Sequence, residues 1–285
     1  MCVSPLKRSL IETYLASLNP DNREPLLKLS QRLAEYYINP EYHNDWVKGC
    51  NANWEKEIHG AQLEMCKRIP SGASVLEVGC GDGSSAKEMQ LRIAGIKYWG
   101  VDLNPKLWKG KSQFVAAKAE KLPFLSESID IVVSMFVIEH LVFPAHFLEE
   151  AWRVLRTNGK LIIIAPDFTH NAMASERLGL SYGSGRAKLA QKKILDALLT
   201  FYDSRIRLAV RRWRRRKRLA RGEIEFPILA EPRCFRLPGF VNDCDAVYPV
   251  APEEITNYLI QAKRCQPGNI FYRDNSTFGL ELTKG

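Results

Sequence analysis

Five short apolar runs constrain the fold open to this chain: ASVLEVG (73–79), KYWGVD (97–102), QFVAA (113–117), IDIVVS (129–134) and KLIIIAP (160–166). They read as strands buried on both faces, the pattern of a parallel sheet. Segments of helical periodicity stand between several of them. In PAHFLEEAWRVLRTNGK, residues Phe147, Leu148, Ala151, Val154 and Leu155 form one apolar face, and Asn158-Gly159 supplies a C-terminal stop. This alternation predicts a doubly wound α/β sheet.

The flanks follow a different rhythm. In residues 1–70, SLIETYLASL and PLLKLSQRLAEYYI repeat apolar positions every three or four residues, and Asn39-Pro40 breaks the pattern. A further helix is expected from Trp54 to Arg68. The extreme N-terminus has charges inside its apolar pattern, so it reads as a helix of the mature protein and not as a signal peptide. Residues 168–244 lack the strand rhythm and read as a basic, largely helical insertion. After it, PEEITNYLIQAK (252–263) reads as a helix with acids in its first turn, and NIFYRD and FGLELTK read as a closing strand pair. The expected division is a helical extension or lid (1–70), a core (71–167), the insertion on the acceptor side (168–244) and the last helix and strand pair (245–285).

Apolar residues make up 46% of the 285, enough for a large core, and no run approaches the ~20 apolar residues of a spanning helix. Seven dispersed cysteines without a CxxC pair suit reduced thiols in a cytoplasmic protein better than a disulfide frame or a zinc site. The net charge of +9 is concentrated. Residues 186–221 hold 14 Lys/Arg against two acids, a net +12, and the other 27 basic and 30 acidic residues leave −3.

The first apolar run leads into Gly79-Cys80-Gly81-Asp82-Gly83 and then a helix from Ser84. Glycines permit positive φ and close backbone approach, and a helix N-terminus offers unpaired N–H groups, so this is a nucleotide-type cradle. A dinucleotide fingerprint would read G-x-G-x-x-G. Here the third glycine comes one residue early, and Glu77 stands two residues before the first. A carboxylate there would repel pyrophosphate and suits a cationic ligand.

E-x-G-x-G-x-G after a first strand resembles motif I of class I S-adenosylmethionine (SAM) methyltransferases. Asp102 at the end of the second run, KAEKLPF (118–124), SIDIVVSMFVIEHL (128–141) and EEAWRVLRTNGKLIIIAPD (149–167) continue the resemblance in order. They are most similar to the large group that includes the quinone-biosynthesis methyltransferases. The resemblance implies a Rossmann-like seven-stranded doubly wound sheet, with a helical N-terminal extension and a helical insertion after the fifth strand. It implies cofactor contacts at Glu77, Gly79, Cys80, Gly81, Gly83, Asp102, Leu103, Ala119, Glu120 and Ser134, with Asp102 receiving the ribose hydroxyls.

Departures narrow the expectation. Lys118 stands where many relatives carry the Asp that meets the adenine amino group, and it cannot accept a hydrogen bond. Adenine recognition then falls to backbone near Ala119 or to Glu120. Phe136 replaces the first acid of the E-x-x-E-H metal site of some quinone O-methyltransferases, so no metal is expected. His140 is the candidate general base, by its ordinary pKa, against a purely structural role. Asp167 and His170 leave the fifth strand toward an expected acceptor pocket, and Trp46 and Trp54 are lid or core aromatics.

The run RIRLAVRRWRRRKRLARG (205–222) carries Ile206, Val210 and Trp213 among its arginines. Three readings stay open: a solvated helix paired with acids of the remainder, an anchor on an anionic membrane surface, and a nucleic-acid contact. No recognisable RNA-binding module accompanies it, which puts nucleic acid last. The expected function is methyl transfer from SAM to a small-molecule acceptor, lipophilic or anionic, by a cytoplasmic enzyme that is peripheral to a membrane if the run is an anchor. The alternative is a non-catalytic SAM-binding module that docks on RNA or an anionic membrane through the same run.

Overall fold

The computed structural model describes residues 20–39, 60–107, 113–177, 184–235, 243–263 and 265–285. Trp46, Trp54, the SLIETYLASL helix and the first residues of the helix expected from Trp54 lie outside them. The described elements run α1 (Pro20–Ile38), α2 (Ala61–Cys66), β1 (Ser74–Val78), α3 (Ser84–Arg92), β2 (Lys97–Asp102), β3 (Phe114–Ala116), β4 (Ile129–Met135), α4 (Pro144–Val154) and β5 (Leu155–Pro166). Then come α5 (Gly185–Ala190), α6 (Ile194–Tyr202), α7 (Leu208–Leu219), α8 (Pro252–Lys263), β6 (Asn269–Arg273) and β7 (Thr277–Thr283). No described helix is long and apolar enough to cross a membrane.

The strands form one seven-stranded sheet in the order β3-β2-β1-β4-β5-β7-β6. β1 to β5 are mutually parallel, and β7 runs antiparallel to both β5 and β6. Both faces are covered. Leu76, Val132, Leu161 and Ile163 pack with the α4 side chains Phe147, Leu148 and Ala151 on one face. Val75, Ile131, Val133 and Ile162 pack with Met65 and Met89 on the other. This two-sided burial is why the strand sequences are apolar at consecutive positions. Each fully buried side chain of this size contributes roughly 1.5–3 kcal/mol.

The order reverses at β1, with β2 on one side and β4 on the other. The carboxyl ends of the strands at such a reversal flank the crevice where open α/β sheets take ligands.

One local expectation fails. The helix α4 does not stop at Asn158-Gly159. It stops at Leu155, which is already extended (φ −65°, ψ 137°), and the chain passes directly into β5. Asn158 (φ 63°) and Gly159 instead make an irregularity inside β5, where Asn158 N–H reaches Lys284 O and Gly159 O accepts from Lys284 N–H. A Cβ on Gly159 would come within 2.8 Å of Arg156 O and 2.9 Å of Asp130 O, so the glycine serves backbone approach and not a helix cap.

Candidate active site

The strand-to-helix turn after β1 is bare backbone by necessity. Gly79, Gly81 and Gly83 have φ of 78°, 55° and 74°, the left-handed region that glycine tolerates. A Cβ on Gly79 would stand 2.1 Å from Val137 Cγ2. The turn is pinned from beneath, because Gly79 N–H (2.7 Å) and Cys80 N–H (3.1 Å) both reach Val101 O at the end of β2. Gly83 is the N-cap of α3.

Asp102 closes the other wall. One carboxylate oxygen accepts from Gly81 N–H at 2.9 Å and the other from Asn104 N–H at 3.0 Å. The acid is therefore oriented by backbone from both sides.

A single cavity joins these parts. It is lined by Gly79, Gly81, Asp102, Leu103, Ala119 and Glu120 of the expected set, together with Lys118 and His140. Phe136 and Val137 from the exit of β4 border it, and α1 contributes Ser30, Leu33, Ala34 and Tyr37. Burial raises the Glu120 carboxyl, with Lys118 pulling the other way.

Four expected cofactor residues are placed elsewhere. Glu77 does not line the cavity. Its side chain is buried and accepts from Ser85 Oγ, in the first turn of α3, and from Tyr98 OH at 2.6 Å. It ties β1, β2 and α3 together behind the glycine turn, and burial pushes its carboxyl up to about 7 against the pull of those two hydroxyls. Cys80 is buried in the core beneath the turn, where a Cβ on Gly100 would meet its Sγ at 2.7 Å. Gly83 caps the helix. Ser134 is buried in β4, and its Oγ has no hydrogen-bond partner among the described residues.

His140 lines the cavity in a short 3₁₀ turn (Ile138–His140) after β4. Its Nδ1 is 3.4 Å from Asp245 Oδ2, its Nε2 is 3.8 Å from Glu139 Oε1, and its ring meets Tyr37 edge-on at 6.1 Å. Burial acts to lower its pKa, but the carboxylates of Asp245, Glu139 and Asp243 outweigh burial and the net direction is up. The premise of an ordinary histidine pKa is thus corrected: this imidazole holds its proton to higher pH. Glu139 is itself fully buried, which raises its carboxyl, and Glu139 O fixes the turn by accepting from Val247 and Tyr248 N–H.

Asp167 and His170 do not reach the cavity. Asp167 is buried and takes hydrogen bonds from Thr169 N–H and Arg273 Nε, which outweigh burial and lower its carboxyl. His170 Nδ1 lies 3.2 Å from it. The described part of the 168–244 segment contributes no lining residue to the cavity either. Among the described residues, no group of three or more His, Cys, Asp or Glu side chains is placed to hold a metal.

Sequence reasoning missed Tyr37 and Asn104. The side-chain amide of Asn104 donates to Tyr37 O at 3.0 Å and so docks the end of α1 on the β2 exit. Both residues are far apart in the chain, and only Asn104, beside Pro105 just after a strand, carried a local signal of a structured turn.

The basic run divides. Arg207 pairs with Asp203, Arg211 with Glu176, Arg215 with Glu254 and Arg218 with Glu225. Arg205, Arg214 and Arg216 pair with no acid among the described residues.

Comparison with known proteins decides the nature of the glycine-turn half. Residues 76–163 match the family model described as "Methyltransferase domain". The chain is 38% identical over 138 residues to a phthiotriol/phenolphthiotriol dimycocerosates methyltransferase of Mycobacterium leprae, covering 44% of this chain and 51% of that protein. It is 28% identical over 193 residues to a tRNA U34 carboxymethyltransferase of Idiomarina loihiensis, covering 61% and 54%. The chain thus spans about half the length of these curated relatives. Among solved structures, a SAM-dependent methyltransferase of Aquifex aeolicus aligns over 82% of this chain and 98% of that one, at 14% identity and a TM-score of 0.45.

Proposed function

We propose that this chain transfers the methyl group of SAM to a small acceptor, lipophilic or anionic, beside a membrane surface. The observation that carries the reading is one cavity in a methyltransferase domain where the glycine turn, the doubly anchored Asp102 and His140 meet under α1. The residues present fit the co-substrate. Gly79 and Gly81 bring bare backbone to the cavity wall, and beside them Asp102 offers a carboxylate, an acceptor suited to ribose hydroxyls.

SAM supplies a methyl already activated by its sulfonium. The acceptor's electron pair forms the new bond to the methyl carbon as the carbon–sulfur bond breaks, leaving S-adenosylhomocysteine. The residues of the chain orient the two reactants and exclude water, with Leu33, Ala34, Tyr37 and Phe136 as the apolar cover. In this division 1–70 acts as the lid, 71–167 as the cofactor half, 168–244 as the membrane-facing insertion, and 245–285 completes the core with its last helix and strand pair.

In this reading His140, which lines the cavity, takes the acceptor proton. Its raised pKa means that it must first lose its own, so a rate that depends on it rises with pH above the ordinary histidine value of 6.5. The test is transfer of a labelled methyl from SAM into fractionated lipid and metabolite extracts. Label in one small-molecule fraction, reduced in His140→Gln, supports the reading. Label only in RNA or protein contradicts it.

A further inference from the structure

Helices α6 and α7 are one continuous rod. The residues between them, Asp203–Arg207, make a π-helical turn with right-handed helical geometry at both joints. One side of the rod is buried through Ala197, Leu208 and Leu219. On the other side Leu195, Leu198, Tyr202, Ile206, Val210 and Trp213 recur at spacings of three and four and are exposed, from 41% at Val210 to 71% at Leu195. This stripe spans roughly 27 Å at 1.5 Å per residue. A contiguous apolar patch of this extent marks an interaction surface.

The charge beside it selects the partner. Arg205, Arg214 and Arg216 are exposed and pair with no acid among the described residues. Lys217 Nζ sits 4.1 Å over the Trp213 ring. Trp213 also borders a cleft of about 600 Å³ whose lining includes Arg211, Arg214, Arg218 and Arg221, with Glu176 its single acid among the described residues. A second copy of the chain would set one +12 segment against another. A nucleic acid would meet the arginines and leave the aliphatic stripe in water. An anionic bilayer satisfies both: acyl chains for the leucines, headgroup phosphates for the arginines, and the interface for Trp213 and Tyr202.

We infer that the 194–219 rod is a membrane-docking surface, which lies flat on an anionic bilayer with the Leu195–Trp213 stripe immersed and its flanking arginines among the phosphates. This rests on the reading that the chain works beside a membrane, and it is independent of the chemistry in the cavity.

The experiment is sedimentation with vesicles of mixed phosphatidylglycerol and phosphatidylcholine, and of phosphatidylcholine alone, in the absence of SAM. Retention by the mixed vesicles is expected to fall at least about tenfold in pure phosphatidylcholine, in Leu195→Ser/Leu198→Ser and in Arg214→Glu/Arg216→Glu. All six positions of the stripe are exposed, so circular dichroism of the variants is expected to match wild type, and Trp213→Ser provides a second stripe variant. Three results overturn the inference: no retention of wild type, retention indifferent to the stripe variants, or a wild-type dimer that the stripe variants split. The Asp102→Ala variant is expected to keep full vesicle retention. A failure of docking with intact SAM binding therefore removes this surface and the membrane setting but leaves the methyl-transfer reading standing, and the converse removes the methyl-transfer reading alone.

Discussion

The Asp102 carboxylate accepts from Gly81 N–H at 2.9 Å, across the mouth of the cavity. This bond joins the end of β2 to the middle of the glycine turn and sets the distance between the two walls a nucleoside must enter. Asp102→Ala removes both the bond and the acceptor for ribose hydroxyls. Charged hydrogen bonds are worth about 1.5–3 kcal/mol each and two are lost, so SAM affinity should fall by at least about 100-fold by calorimetry. An unchanged affinity would show that Asp102 does not touch the ligand.

Gly79 is a steric prediction. Gly79→Ala places a methyl 2.1 Å from Val137 Cγ2 at a φ of 78°, and should cost about 1–3 kcal/mol of stability in denaturant titration. Adding Val137→Ala relieves the clash but not the φ, so the double variant should recover part of the loss. No recovery would mean that the backbone conformation alone sets the cost.

Glu77 should make stability depend on pH. The unfolded carboxyl has its ordinary value of 4.5, and burial raises the folded one to about 7. Between these values the folded state holds a proton that the unfolded state has lost, so stability falls as pH rises through the window. Its contribution is on the order of 3 kcal/mol. Glu139, also raised by burial, adds to the slope. Glu77→Gln keeps an oxygen for Ser85 and Tyr98, and should flatten the decline without abolishing it. A variant with the wild-type slope would place the titration elsewhere.

The arginines should divide by energy as they do by contact. Arg215 is nearly buried, reaches Glu254 at 3.0 Å and donates to Pro249 O, and Glu254 also accepts from Tyr248 OH at 2.7 Å. Arg215→Met leaves that acid short of a cation and should cost about 2–3 kcal/mol. Arg214→Met, at an exposed position with no acid partner, should change stability by less than about 0.5 kcal/mol. Equal effects would contradict the split.

The sheet was legible because its strands are buried on both faces. In β1, Val75, Leu76 and Val78 are all inaccessible, so continuous apolarity had one physical meaning. The glycine turn was legible because positive φ has few substitutes at Gly79, Gly81 and Gly83. Side-chain direction was not. Glu77 was read as facing a cation, and it turns inward to Ser85 and Tyr98, since which side of a strand-end carboxylate meets ligand depends on packing behind the turn. His140 was read with an ordinary pKa because Asp245 lies 105 positions away in the chain, and only the fold brings it to 3.4 Å. Asn158-Gly159 has the composition of a helix stop, yet tertiary pairing with Lys284 uses it inside a strand. The basic run gave charge without direction. The exposed stripe became visible only once α6, the π-helical turn and α7 were seen to be one rod.

The central claim is that the cavity beneath α1 takes SAM. Isothermal titration of the full chain with SAM tests it without knowledge of the acceptor. One equivalent per chain is predicted, with a dissociation constant between about 1 μM and 1 mM, and with S-adenosylhomocysteine competing for the same site. Absence of heat at millimolar SAM, or binding that S-adenosylhomocysteine leaves untouched, would contradict the account.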